Sequence, residues 1–166
     1  MKTHDEINFA TQCEHDRIIQ LEDESTFGKH LWNYYEFISW AKWYPDLYVE
    51  LFKGKDSNRQ LHFDQRTFMR ADMRFMSMYG TFSRGYAKTY TEMLDDMIAG
   101  TLFPNITMSV TAQTRENSAA LMEDKYNEIL TDFPLFENEI EKVRFSKNDA
   151  LIQFKGGAKI TNLANA

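Results

Sequence analysis

Gly80-Thr81-Phe82-Ser83-Arg84-Gly85-Tyr86-Ala87-Lys88-Thr89 is the stretch of this sequence best equipped for chemistry. It separates a short apolar run, Phe75–Tyr79, from a segment between Lys88 and Ala99 that reads as helix. The apolar run, bounded by Gly80, predicts a buried strand. A turn from strand into helix is what a phosphate-binding loop requires. The first turn of a helix leaves backbone N–H groups unbonded and carries the positive end of the helix dipole. In such a loop a lysine ammonium reaches the outer phosphates of a nucleotide, and the next hydroxyl ligates the bridging magnesium. Lys88 and Thr89 stand in those two places. The strict pattern G-x-x-x-x-G-K-[ST] is not met, because Phe82 occupies the first glycine position and Ala87 the second. Spacing alone leaves an ordinary strand-to-helix turn equally open.

Other chemistry finds less support. His4, His15, His30 and His62 are scattered, and Cys13-Glu14-His15-Asp16 has no regular metal-ligand spacing. No nucleophile elbow marks a hydrolase triad. Glu22-Asp23-Glu24 reads as solvated or helix-start charge. Asp95-Asp96 follows Met93-Leu94 but falls inside the predicted helix, not at the end of a strand.

The elements that must position these residues divide the chain by composition. With 166 residues and 43% hydrophobic content there is material for one core, or for one core with a helical appendage. Residues 1–58 are rich in acids and aromatics at helical spacing. Thr26 reads as the cap of a helix from Phe27 to about Trp43, ended by Pro45. Trp32, Tyr34, Tyr35, Phe37, Trp40, Trp43, Tyr44 and Tyr48 cover more than one face, which predicts packing against two neighbours. A DNA-stacking use of these rings is the alternative. A short helix over 46–52 follows, and Lys53-Gly54-Lys55-Asp56-Ser57-Asn58 reads as a loop joining two subdomains.

From about residue 60 helices and strands alternate. Helix is expected over 61–70, over 88–99 with Gly100 as a left-handed cap, and over 116–130 with Ala119, Met122, Tyr126, Ile129 and Leu130 inward. Ile106–Val110 reads as a second buried strand. This alternation predicts an α/β fold with a parallel sheet covered by helices. Residues 142–146, 150–154 and 158–163 read as short antiparallel strands, with turns at Lys147-Asn148-Asp149 and Gly156-Gly157.

Charge and cysteine content bound the function. The net charge of -6 argues against a small module that coats nucleic acid, but leaves room for a motor with local DNA contacts. The single Cys13 excludes an internal disulfide and fits a reducing compartment. With no long apolar run and no signal-like N-terminus, the expectation is a soluble intracellular protein.

Ser83-Arg84-Gly85-Tyr86-Ala87-Lys88-Thr89 resembles the deviant Walker A motif of tailed-phage terminase large subunits, which reads S-R-x-x-G/A-K-S/T. Leu61-His62-Phe63-Asp64-Gln65 resembles that family's adenine motif. Ser109-Val110-Thr111-Ala112-Gln113-Thr114-Arg115 is similar to a strand end before a long helix. Gln153–Ile160 resembles the strand-turn-strand that precedes Walker B. The four features occur in the family's order across residues 60–166. The resemblance implies a P-loop NTPase-like domain over 59–166, preceded by a helical segment over 1–58. It implies ATP and Mg2+ as cofactors. Gln65 would read the adenine edge, Ser83, Gly85, Tyr86 and Ala87 would line the phosphates, Lys88 would hold them, and Thr89 would ligate magnesium. Arg84 would be a catalytic arginine, acting with Lys88 on the transferring phosphoryl group. Thr111, Gln113 and Arg115 would sense DNA or nucleotide.

The resemblance further implies a motor that moves double-stranded DNA into procapsids. It would work in the host cytoplasm as a homo-oligomeric ring on a portal protein, recruited with a small terminase subunit. Walker B and the nuclease domain are expected beyond Ala166, so the chain reads as an N-terminal piece that binds ATP and hydrolyses it weakly or not at all. Two alternatives stand beside this reading: a non-enzymatic helical interaction module, and another helicase-like P-loop ATPase.

Overall fold

The computed structural model describes the backbone of residues 26–55, 57–75, 78–81, 83 and 85–164, and the side chains of those from 33 to 163. The chain divides into two compact units between Trp43 and Tyr44. In the first, α1 spans Thr26–Trp43. Thr26 is its first helical residue, not a cap outside it. Tyr34 is 60% exposed, and Tyr35 and Phe37 are each 40% exposed. These three rings of the aromatic set are therefore not core residues, contrary to the packing expected for them. Phe37 and Trp40 lie against each other at 5.9 Å.

The second unit opens with α2, Pro45–Tyr48, and a 3-10 turn, Val49–Phe52, in place of one continuous helix. Proline stands in the first turn of α2, where its missing N–H costs nothing. Residues 44–58 belong to this unit. Phe52 stacks on Phe136 at 4.2 Å, and the Gly54 N–H donates to Asp132 O. Buried Asp46 accepts from Arg66 Nε at 2.7 Å and from Arg70 Nε at 2.6 Å, which ties α2 to α3, Phe63–Asp72.

Among the described residues of the predicted strand at 75–79 no strand forms: Phe75 and residues 78–80 are irregular. The Phe75 N–H still donates to Ala71 O, so it closes the last turn of α3. Phe75 is 46% exposed and Tyr79 92%, so neither end of the run is buried. A short apolar run carries no period long enough to distinguish strand from loop.

Then come α4 (Lys88–Leu102), β1 (Thr107–Ala112), α5 (Arg115–Asp132), a 3-10 turn (Pro134–Asn138), β2 (Ile140–Phe145), β3 (Ala150–Phe154) and β4 (Lys159–Ala164). The architecture is α/β, with a four-stranded sheet ordered β1-β4-β3-β2. It is mixed, not parallel as expected. β1 pairs with β4 in parallel, with Met108 opposite Ile160, while β3 runs antiparallel to both β4 and β2. The two hairpin turns at 147–149 and 156–157 impose the antiparallel pairs, and Gly157 supplies the positive φ of +83° that the second needs.

α5 packs across β1, β3 and β4, burying Ala119, Met122 and Ile129. Tyr126 and Leu130 are half-buried. Thr114 caps α5, its hydroxyl accepting from the Asn117 N–H. Gly100 is no cap: α4 runs through it, and a Cβ there would fall inside the Phe154 ring. No described helix is long and apolar enough to cross a membrane.

Candidate functional site

The backbone reverses its hand twice just before α4. Gly85 has φ +95°, and Ala87 lies in the left-handed region at φ 50°, ψ 37°. Tyr86 between them does not share the positive φ. Alternation of this kind turns successive N–H groups toward one side, the backbone condition for an anion-binding concavity. A non-glycine residue in that region costs about 1–3 kcal/mol and persists only where its surroundings hold it.

A buried relay supplies the hold. The Thr91 N–H and hydroxyl both donate to Ala87 O, at 3.0 and 3.1 Å. Gln65 Nε2 donates to Thr91 Oγ1 at 2.8 Å, while Gln65 Oε1 accepts from the His62 N–H at 2.9 Å. Gln65 is 2% exposed. Both ends of its amide are therefore engaged between α3 and the start of α4.

Lys88 and Thr89 are the first two residues of α4. Lys88 Nζ is 3.7 Å from Glu92 Oε1, an exposed pair one turn apart. Thr89 is half-buried, and Ser83, Gly85 and Tyr86 are exposed. Arg84 lies outside the described residues. Beside the loop, a groove of about 420 Å3 is lined on the α3 side by Phe63, Phe68 and Ala71, and on the loop side by Met78, Ser83 and Tyr86. Its wall is mostly apolar and aromatic. A flat aromatic ring suits such a wall.

On the other side of Lys88 is a second cavity, of about 300 Å3, lined by Asp72, Gly80, Lys88, Glu92, Asp95 and Asp96 among others. Asp95 is 3% exposed, and while ionised it has no donor for either carboxyl oxygen. Burial, then a hydrogen bond with Asp72 and the charges of Asp72 and Asp96, push Asp95 well above the usual carboxylate range. Burial, with the charges of Asp72 and Glu92, raises Asp96 to about 7. These acids escaped the sequence reading, which set them aside because they lie mid-helix. A signal was present: Asp95 falls in step with Thr91, Leu94, Ile98 and Leu102, the buried stripe of α4.

The residues at the end of β1 are dispersed. Thr111 and Gln113 are exposed. Arg115 Nη2 pairs with Asp149 Oδ1 at 2.7 Å and holds the 147–149 turn against α5. Among the described residues, no three of His, Cys, Asp and Glu are grouped so as to hold a metal ion by themselves. No protein-family model, curated protein or solved structure matches this chain.

Proposed function

We propose that residues 80–102 form a nucleotide-binding loop and helix, and that the chain is the ATP-binding part of a DNA-packaging motor of the terminase type. One observation carries the nucleotide reading: left-handed backbone at Gly85 and Ala87 directly ahead of a fifteen-residue helix whose first residues are Lys88 and Thr89. In this reading the free N–H groups of the first turn and the Lys88 ammonium meet the phosphates. Thr89 supplies a hydroxyl to Mg2+, and the base lies in the groove between Phe63 and Tyr86. Gln65 acts first as a positioning residue, through Thr91 on the Ala87 carbonyl. A contact of its amide with the adenine edge would replace the Thr91 bond.

The motor reading rests on the ordered resemblance of the four sequence segments and carries with it double-stranded DNA, the portal, the small subunit and a ring of copies. P-loop parentage, with Arg84 as the transition-state arginine, is part of the same proposal.

Calorimetry tests the nucleotide reading. Lys88→Ala removes a charged partner of the polyphosphate, an effect of about 1.5–3 kcal/mol, or roughly ten- to hundredfold in affinity for ATP with Mg2+. The pair with Glu92 is exposed and worth little, so the fold should survive its loss. Equal ATP affinity for the wild type and the variant would remove the phosphate-loop assignment.

A further inference from the structure

Asp72 is the last residue of α3, and Asp95 lies in the buried stripe of α4. Their carboxyl groups form a hydrogen bond. An ionised carboxylate only accepts, so a bond between two carboxyl groups requires a proton on one of them. Burial decides which. Asp72 is exposed, and water solvates its charge. Both oxygens of Asp95 are shut off from solvent, where a bare charge is costly. The neutral acid is therefore Asp95, with its O–H donating to Asp72. The other titratable groups lining the cavity between the two helices are Tyr79 ahead of the loop and Lys88, Glu92 and Asp96 on α4. Lys88 is engaged by Glu92 at 3.7 Å. Asp96 brings a further carboxyl to the pair and so opposes a second charge there.

The bond has a mechanical place. α3 is tied to α4 near its start by Gln65 on Thr91, and at its end by Asp72 on Asp95. Thr91 and Asp95 stand one turn apart on the same face of α4. The Met73, Arg74 and Phe75 N–H groups close the end of α3 on the Met69 and Ala71 carbonyls. We propose that a proton held on Asp95 latches the end of α3 to α4, and that its loss to water opens the latch. Deprotonation removes the only donor of the bond and sets two carboxylates against each other across a buried contact. The Gln65–Thr91 bond then holds the two helices without its second point. Because Gln65 also steadies Ala87 through Thr91, the proton on Asp95 bears on the candidate loop. The latch itself requires no nucleotide.

The test uses the full chain without ATP. Infrared spectra at neutral pH should show the carbonyl stretch of a protonated carboxylic acid. That band should shrink in Asp95→Asn, whose amide keeps a donor for Asp72 without a titrating proton. It should persist in Asp124→Asn, on the exposed face of α5. Hydrogen exchange, corrected at each pH for the rate of the unfolded chain, reads the mechanical effect. Between about pH 5 and about pH 8 the Met73, Arg74 and Phe75 amides of the wild type should lose about tenfold in protection, and those of β3 less. In Asp95→Asn their protection should hardly change over that range. Circular dichroism checks that each variant folds. If Asp95→Asn unfolds, Asp72→Asn takes its place, since an amide at 72 bonds Asp95 in either protonation state and should likewise flatten the profile. If both unfold, the band and the exchange profile of the wild type decide. No protonated-acid band at neutral pH, a band undiminished in Asp95→Asn, or protection at the end of α3 that ignores pH in the wild type would each overturn the proposal. So would a loss as steep in the folded variants as in the wild type.

Discussion

Ala87 concentrates the local tension of the candidate loop in one residue. Its Cβ sits in a left-handed conformation that glycine adopts freely, at a cost of about 1–3 kcal/mol. Replacing it by glycine removes that cost but makes the unfolded chain more flexible, a loss of about 0.5–1 kcal/mol. The strain outweighs the entropy, so Ala87→Gly should stabilise the protein slightly. Ala87→Val, β-branched at positive φ, should destabilise it by more than 1 kcal/mol. Urea unfolding of the three proteins checks the order, and a less stable Ala87→Gly would mean that Ala87 is not left-handed. Lys88 and Thr89 at the helix start were legible because their meaning lies in adjacent residues. The role of Gln65 was not, since its partners, His62 and Thr91, are joined only when α3 packs on α4.

At the scale of the elements, Gly100 shows why a local signal misleads. Near the end of an apolar-periodic segment a glycine reads as a left-handed cap, but here it sits inside α4 because the Phe154 ring of β3 occupies the space of its missing side chain. In an open helix Gly→Ala would gain about 1 kcal/mol. Here the added methyl meets a ring that is 1% exposed, and overpacking of that kind costs about 1–3 kcal/mol. Gly100→Ala should therefore destabilise. In a Phe154→Leu background, where the ring is gone, the same change should turn neutral or favourable. A double-mutant cycle by thermal unfolding measures this coupling, and additive effects would refute the contact. The helices were otherwise well marked, each lying within a few residues of its sequence bounds. The sheet's sense was less so. Alternation of helix and strand suggested parallel pairing, while the two hairpin turns, legible at 147–149 and 156–157, make three of the four strands antiparallel neighbours.

For the molecule as a whole, two buried acidic features pull stability in opposite directions with pH. Burial alone would raise Asp46, but the hydrogen bonds and charges of Arg70 and Arg66 outweigh it and hold its carboxyl below 3.8. Its contribution is present above the unfolded value and disappears as pH falls through the lowered one. Asp95 and Asp96 behave in reverse. Burial, then Asp72, raise both, Asp96 to about 7 from 3.8, so between these limits the folded chain binds more protons than the unfolded chain. Stability must then fall as pH rises, since its slope with pH follows the protons bound unfolded minus those bound folded. The wild type, freed of divalent ions with EDTA, should be most stable on the acidic side of neutrality. It should lose stability as pH climbs from 3.8 toward 7 and again under strong acid. Asp96→Asn should flatten the fall toward neutrality and leave the acid limb in place. Asp46→Asn should do the opposite, at the cost of two arginines left without their carboxylate. Midpoints of urea unfolding between about pH 3 and about pH 8 check all three profiles. A wild type whose stability rises steadily to neutrality, with Asp96→Asn parallel to it, would show that the carboxyls between α3 and α4 are neither buried nor crowded as described.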